Sequence, residues 1–509
     1  MAGTPTVDQF LTEISAILRT KNASKLREYL IIEPPYNELY HKIIGETRQA
    51  YPRGNEDALE AKCSNALPEA RDGEDGSSWT MFVRLMVAYF GFLRDVNIDN
   101  LLDTYNLLGE LVQKCTSALG HPTLGVLVLP TLIGYSQMLS RLAIGLDKQP
   151  ELIAHVPRKA DEAEAGETLP ERAANIIRSA FTICMNDRGV GMANGKPEGK
   201  KAGIYKLCNV CLKVLFQCRK TRNAEQIFNI IYQHSPPLHV YPASERVTFL
   251  YYLGRYLWSN NHFFRAQMAL QAAYSQCRKT DLKQRRLIVI YLIASNYVLG
   301  RFPSTVLLQK PEARGLADIF LPVCQATAKG DLATFRQLLG SNGPHARWLE
   351  HFRMRLQLLN RGEVLVWRSL VRKTFLLNGV QGDVEARKAP TLGLADVLAL
   401  ARYLDRQTHP REGSYADPEF EGIDLRGSAG GEPLLPDMLE VESVMGSLIE
   451  QGLLGGFISH RQLRFAIQGA KKSGVMGAGF PNVWKTIGDT HRSDEVPGWK
   501  KGAQGLQHA

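Results

Sequence analysis

The chain has 509 residues, of which 44% are hydrophobic and 22% are charged. This composition excludes a globally disordered protein, and the length is sufficient for roughly two to four packing units or one extended repeat array. Sixty-one Lys and Arg residues against 51 Asp and Glu residues give a formal charge of +10, which suits a polyanion or an acidic partner.

The N-terminal sequence lacks a basic segment followed by an apolar core, so we expect a cytosolic or nuclear protein rather than a secreted one. The most apolar stretch, Leu124 to Tyr135, contains Pro130 and is shorter than the ~20 residues of a spanning helix. We therefore expect no membrane-spanning segment.

The eight cysteines are expected to be reduced thiols, because the chain shows no export signal. Cys208, Cys211 and Cys218 fall on one face of a predicted helix, a spacing that could suggest a metal cluster. A structural zinc ion needs four ligands, and no second cysteine or histidine pair completes the set. Core packing is the predicted role, with no metal and no cofactor.

Apolar residues at three- and four-residue spacing predict an all-α protein before residue 380. Residues 1–168 form an N-terminal helical region with loops near 65–78 and 148–168. Residues 169–378 are expected to form helical hairpins that resemble tetratricopeptide repeats, an α-solenoid in which each hairpin buries its apolar face against the next. The predicted helices from 171 onwards are 171–186, 203–219, 223–234, 244–259, 262–277, 282–299, 316–328, 331–339, 345–360 and 362–377.

The segment 379–470 changes character and predicts a winged helix. A helix from Leu392 to Leu404, an insert rich in Gly, Pro and acidic residues at about 406–433, and a helix from Pro436 to Gln451 precede two short β-like runs. Residues 471–509 are expected to be a basic, flexible tail.

Catalytic motifs are missing from the sequence. It contains no HExxH, GxSxG, GxxxxGK[ST] or kinase signature, and its 12 histidines are scattered. We therefore expect a protein that is not an enzyme.

Basic residues without neighbouring acids follow the predicted repeats between Gly199 and Asn223. This basic edge is either a solvated face or a binding site for an acidic peptide or RNA. Arg255 lies on an otherwise apolar helix and is expected to pair with an acid of another helix or of a partner. The candidate partner-binding residues of this region are Lys206, Lys213, Arg219, Lys220, Arg222 and Arg255.

Charge is distributed unevenly over the predicted winged helix. Its second helix carries Asp437, Glu440, Glu442 and Glu450 without Lys or Arg, so DNA phosphates would repel it from a major groove. The wing and tail are basic and predict sequence-independent phosphate contacts instead. The candidate nucleic-acid-binding residues are His460, Arg461, Arg464, Lys471, Lys472 and Lys485.

An edge strand of the wing could alternatively pair with a partner's sheet. Phe457 and Ile458 are the candidate partner-binding residues, and the run from Leu463 to Ile467 is a second candidate strand. Protein binding and nucleic-acid binding at this module are compatible.

Three blocks of the sequence resemble the PCI family of scaffold proteins. They are Tyr251 to Ser304, with YYLGRY and LGRFPS; Asp318 to Leu339, where Gly330 and Asp331 separate two helices; and Glu440 to Ser459. YYLGRY and LGRFPS look most similar to the branch that contains the Thp-type subunit of the nuclear-pore transcription-export (TREX) complex and its signalosome-associated relative.

This resemblance implies a hetero-oligomer with a larger Sac-type PCI scaffold and a small acidic Sem (Dss) protein. It also implies that this chain binds RNA or DNA with weak sequence specificity. It implies a role in mRNA export in the nucleus, at the nuclear envelope and pore, with a possible cytoplasmic pool. The alternative is a protein-only scaffold of the signalosome or proteasome-lid type.

Overall fold

Helices dominate the structure, as the spacing of the apolar residues predicts. The computed structural model describes residues 4–71, 78–97, 99–149, 151, 168–189, 192–193, 195–382, 388–408 and 437–490. Within them, consecutive helices pack on one another, which confirms the all-α class with solenoid-like packing. The described residues form two compact units that divide between Leu253 and Gly254.

The first unit contains short and long helices that pack mainly on their neighbours in the chain. They are α1 (Pro5–Arg19), α2 (Ala23–Tyr29), α3 (Glu38–Ala50), α4 (Glu56–Ala66), α5 (Pro68–Arg71), α6 (Thr80–Asp95), α7 (Leu101–Leu119), α8 (Leu129–Lys148), α9 (Leu169–Met185), α10 (Ile204–Gln217) and α11 (Ala224–His234). Helix α12 (Ala243–Ser259) begins in this unit. Between α9 and α10, where the sequence predicts only a loop, β1 (Met192–Ala193) pairs with β2 (Lys196–Pro197).

Helices on the two sides of residue 168 pack on one another, and the predicted domain boundary at this residue stays a prediction. Helices α7 and α8 pack directly against α9, and α8 also packs against α10. Stacked helices of this kind bury their apolar faces against one another.

Pro130 does not interrupt the apolar segment, contrary to the expectation from the sequence. It lies in the first turn of α8, where the missing backbone N–H has no helical acceptor to lose. By length and composition alone, the segment Leu124–Lys148 is long and apolar enough to cross a membrane. More than half of its most apolar window is buried inside the unit, with Leu132 and Leu139 fully covered, so the helix packs as a core helix.

The second unit contains the rest of α12 and the elements that follow it. Its helices are α13 (Phe263–Gln276), α14 (Leu282–Val298), α15 (Thr305–Leu308), α16 (Ala317–Lys329), α17 (Leu332–Leu339), α18 (Ala346–His351), α19 (Arg355–Asn378), α20 (Leu394–Thr408), α21 (Met438–Glu450), α22 (Ala470–Gly479) and α23 (Val483–Thr490). Its strands are β3 (Thr391–Gly393), β4 (Gly456–Ser459) and β5 (Arg464–Ile467).

Helix α19 differs from the prediction of two helices divided near Arg361. It is continuous through Gly362, although glycine lowers helix propensity. A Cβ atom at this position would lie 2.7 Å from the Tyr297 hydroxyl oxygen and 2.8 Å from the Phe335 ring. Close tertiary packing thus requires the glycine inside the helix, and its local breaking tendency is overridden.

A buried ion pair joins α14 to the turn before α16. Arg285 and Glu312 are 7% and 5% exposed, and the Arg285 Nε and Nη2 atoms lie 3.0 and 2.9 Å from Glu312 Oε1. The Tyr274 hydroxyl donates to the same oxygen over 2.8 Å, and Arg285 Nη1 donates to the Cys277 carbonyl over 2.9 Å. This network ties α13, α14 and residues 311–313 together.

Glycines set two close approaches in the second unit. A Cβ at Gly254 would lie 2.5 Å from Leu270 Cγ, so α12 and α13 approach each other closely there. Gly330 ends α16 in the left-handed conformation at φ +73°, and Asp331 then caps α17 by accepting from the Thr334 backbone N–H. The predicted separation of two helices by Gly330 and Asp331 is confirmed.

Candidate functional site

The C-terminal part of the second unit has the predicted order of a winged helix. Helix α20 and helix α21 precede the hairpin of β4 and β5, and β3 completes a three-stranded antiparallel sheet in the order β3-β5-β4. Most of the predicted insert, 409–433, lies outside the described residues. The module packs on α17 and α19, and the predicted boundary at residue 378 stays a prediction.

Glycines allow the hairpin to approach its neighbours. A Cβ at Gly455 would lie 2.0 Å from the Ala478 carbonyl oxygen, and one at Gly456 would lie 2.1 Å from that of Ala466. The Gly455 N–H donates to the Gly479 carbonyl over 3.0 Å. These contacts hold the wing against α22.

Strand β4 is an edge of this sheet. Phe457 is opposite Ala466 and Ile458 is opposite Phe465, whereas the other side of β4 pairs with no strand among the described residues. The Phe457 side chain is 48% exposed. An edge with free backbone donors and acceptors and an exposed aromatic ring can accept a further strand.

The run from Leu463 to Ile467 was wrongly considered an available edge. Its residues 464–467 form β5, the central strand, which pairs with β3 on one side and β4 on the other. Phe465 and Ile467 are buried under the sheet. Strand order depends on β3, a segment about 70 residues earlier in the sequence, and periodicity alone did not predict it.

The wing presents the predicted cations to solvent. Arg461 lies in the short turn between β4 and β5, Arg464 begins β5, and Lys471 and Lys472 begin α22. All four are exposed, and none is within ion-pair distance of a carboxylate in the described part of the chain. Their charge is therefore available to a phosphate or an acidic group.

His460 differs from these four residues. Its Nδ1 atom lies 2.8 Å from Glu442 Oε1 of α21. The sequence of the wing contains no acidic residue, but α21 places one beside it. When His460 is protonated, Glu442 offsets its charge. His460 is consequently a weaker phosphate ligand than the sequence suggested.

Lys485 lies outside the wing, on α23. Residues 471–490 were expected in a flexible tail but form α22 and α23, and Val483 is buried. A Cβ at Gly300 would lie 2.7 Å from Val483 Cβ, and the Trp484 ring lies 5.6 Å from that of Phe264. The basic residues and glycines of this segment led to the prediction of a flexible tail, although it packs as helices. Residues 491–509 lie outside the described residues.

The basic edge of the first unit is partly neutralised by acids from distant parts of the sequence. Lys206 Nζ lies 3.8 Å from Glu245 Oε1, and Lys220 Nζ lies 3.3 Å from Glu171 Oε1. Burial raises the pKa of the Glu245 carboxyl, and Lys206 opposes that shift. The exposed cations left at this edge are Lys213, Arg219 and Arg222.

Arg255 contacts an aromatic ring of the next helical hairpin. Its guanidinium carbon is 5.2 Å from the centroid of the Tyr291 ring, a cation–π contact between α12 and α14. This contact was not expected from the sequence, and the pairing of Arg255 with an acid stays a prediction.

The cysteine trio is buried, which confirms its predicted packing role. Cys208, Cys211 and Cys218 are all free thiols in the core of the first unit. Burial raises the pKa of Cys211 to about 12, so this thiol stays protonated at neutral pH.

Comparison with known proteins finds relatives that are named PCI domain-containing proteins and CSN12 homologs. No protein-family model matches it. It is 25% identical over 464 residues to a PCI domain-containing protein of Schizosaccharomyces pombe, covering 89% of this chain and 91% of that protein. It is 21% identical over 465 residues to PCI domain-containing protein 2 of Danio rerio, covering 91% and 96%.

A CSN12 homolog of Neurospora crassa is 31% identical over 313 residues, which are 59% of this chain and 60% of that protein. That alignment spans less than two thirds of either chain. The assignment to a Thp-type branch stays a prediction. The homologues of this chain are PCI domain-containing proteins, CSN12 homologs among them.

Proposed function

We propose that this protein is a non-catalytic scaffold subunit of a hetero-oligomeric complex and that β4 pairs with a strand of a partner subunit. The observation that carries the proposal is the position of β4 at the sheet edge, with Phe457 48% exposed. Main-chain hydrogen bonds would supply affinity, and Phe457 would supply a side-chain anchor. The PCI relatives support a scaffold role.

Replacing Phe457 with Asp is expected to reduce recovery of partner subunits in affinity purification from cells by about tenfold or more, because an aromatic anchor contributes ≥2 kcal/mol. Leu439→Asp is the matched control, since Leu439 is 74% exposed on α21 and lies outside the sheet. Thermal unfolding of both variants verifies that they fold. Equal recovery of partners with Phe457→Asp and wild type would contradict strand pairing at β4.

A second function, nucleic-acid binding, is supported by the four exposed wing cations that have no ion-pair partner among the described residues. These are Arg461, Arg464, Lys471 and Lys472. Contacts to phosphates through such side chains are independent of sequence and sensitive to salt. The wing is more suitable for them than α21, whose charged residues are all acidic.

Replacing these four residues together with Gln is expected to weaken binding of a generic single strand. The slope of log affinity against log salt should also fall by about 0.7 for each phosphate that is no longer neutralised. Fluorescence anisotropy with a labelled oligonucleotide at several salt concentrations measures both. Lys279→Gln with Lys283→Gln is the charge control, since both residues are exposed and lie outside the wing. An affinity for the oligonucleotide that does not depend on salt, or that is the same in the variant with all four substitutions, would refute binding at the wing.

The assembly is proposed to be a nuclear mRNA-export complex, with a larger Sac-type scaffold and a small acidic Sem protein. The order of the PCI-like blocks and the basic wing support it. Relatives named as CSN12 homologs support the signalosome-type alternative at least as well. Identification of the proteins that co-purify separates the two, and fluorescence imaging tests the proposed location at the nuclear envelope.

A further inference from the structure

A cavity of about 560 Å³ lies in the second unit, apart from the wing cations. It is bounded by the end of α14, the end of α16, the middle of α19, and the segment that joins α22 to α23. Its volume is within the range of about 300–1,000 Å³ that is usual for ligand pockets. The described side chains that line it include two arginines and no Asp or Glu.

Arg368 is a half-buried cation that only neutral groups hold in place. Its Nε donates to the Leu453 carbonyl over 3.2 Å, and its Nη2 donates to the carbonyls of Phe480 and Pro481 over 3.1 and 2.5 Å. No carboxylate lies within 4.0 Å of it among the described residues, and its Nη1 hydrogens have no acceptor there. Burial, followed by the charge of Arg372, lowers its pKa.

Arg372 follows one helical turn later on α19 and also lines the cavity. Its side chain is exposed and has no ion pair within the described part of the chain. Two like charges at this spacing destabilise a helix slightly, and desolvating an uncompensated charge costs more. An anion bound beside both guanidiniums would remove both costs.

Phe302 adds an aromatic wall to the same cavity. Its ring is 44% exposed, although it stacks on Tyr297 with 5.8 Å between centroids and 20° between planes. The stacking fixes the ring and leaves part of it open to the cavity. Stacking on such a ring favours a planar group such as a nucleobase.

We propose that this cavity binds a nucleoside monophosphate, with its phosphate at Arg368 and Arg372 and its base against Phe302. A phosphomonoester matches the two positive charges. Arg372 can bind phosphate oxygens through paired guanidinium donors, and Arg368 can add its Nη1 hydrogens, which have no acceptor among the described residues. An acidic peptide would satisfy the arginines but would leave the exposed ring unused. The site is separate from β4 and from the wing and does not depend on the function proposed above.

Isothermal titration of the full-length protein with adenosine monophosphate, inorganic phosphate and adenosine tests the proposal. We expect adenosine monophosphate to bind more tightly than either part alone. Arg372→Ala should weaken its binding at least about tenfold, because hydrogen bonds to charged groups are removed. Phe302→Ala should weaken it about fivefold or more while leaving phosphate binding unchanged, because only base stacking is removed.

Arg347→Ala on α18 is the matched control, since Arg347 is exposed and does not line the cavity, and it should bind adenosine monophosphate like the wild type. Arg368 stays unsubstituted because it also holds Phe480 and Pro481, and thermal unfolding shows whether Arg372→Ala and Phe302→Ala fold. The proposal is overturned if adenosine monophosphate does not bind at millimolar concentration, or if Arg372→Ala binds it normally. Binding of a poly-glutamate peptide without binding of the nucleotide would also overturn it.

Discussion

Replacing Glu312 with Ala is expected to lower the free energy of opening of the second unit by about 3–5 kcal/mol. The variant leaves Arg285 buried without its carboxylate, and the Tyr274 hydroxyl loses its acceptor. Removing one partner of a buried pair costs more than the pair contributes, because the remaining charge has already been desolvated. Native-state hydrogen exchange of the α14 amides measures this opening separately from that of the first unit.

Glu350→Ala is the matched control for Glu312→Ala. Glu350 pairs with Arg355 at 2.8 Å, but its side chain is 51% exposed, so its removal should cost less than about 1 kcal/mol. Equal destabilisation of the two variants would show that burial does not determine the contribution of the Arg285–Glu312 pair.

The same network makes stability depend on pH. Burial raises the pKa of Glu312, but its own backbone N–H, the Tyr274 hydroxyl and the Arg285 guanidinium outweigh burial and hold it below the ordinary value of 4.5. A group with a lowered folded pKa contributes stability that is present above its unfolded pKa and is lost as pH falls below it. Wild type should therefore lose more stability than Glu312→Gln between pH 5 and the acidic limit of folding.

Replacing Gly330 with Ala is expected to destabilise the second unit by about 2–5 kcal/mol. The left-handed backbone at φ +73° costs a non-glycine residue roughly 1–2 kcal/mol. The added Cβ would also lie 2.6 Å from the Leu370 backbone nitrogen, so α16 or α19 must move, and such overpacking costs about 1–3 kcal/mol. Hydrogen exchange of the α16 and α19 amides measures the destabilisation.

Gly315→Ala separates the two causes. Gly315 has φ +75°, but a Cβ there would have no atom within 4 Å, so only the backbone strain of roughly 1–2 kcal/mol applies. If Gly330→Ala destabilises the unit no more than Gly315→Ala does, then α16 and α19 can move apart at this turn with little loss of free energy.

Because α19 packs on the winged helix, we also expect Gly330→Ala to reduce partner recovery.

Local signals in the sequence predicted much of the second unit. Gly330 with Asp331 marks the end of one helix and the cap of the next, since both requirements concern neighbouring residues. The acidic α21 and the basic wing are also readable from residue types alone. Short connections and strong periodicity make such elements predictable.

The candidate sites were predicted less completely. Strand β4, with Phe457, is an edge because β3 occupies the other side of β5. Strand β3 has only three residues, too few for its sequence to predict this pairing. His460 pairs with Glu442, and Arg368 donates to the Leu453 carbonyl. Both contacts join elements that are far apart in the sequence, so residue types alone did not reveal them. The cavity was missed because Arg368 and Arg372 occur in an ordinary helical pattern.

The sequence by itself determined the helical periodicity, the change to a winged helix near residue 380 and the sign of the charge on each element. Only the tertiary structure decided which charges are available. Lys206 and Lys220 meet Glu245 and Glu171, whereas Arg461 and Arg464 meet no acid among the described residues. The reason is that electrostatic interactions depend on distance and burial in space, and the sequence records neither for residues on different elements.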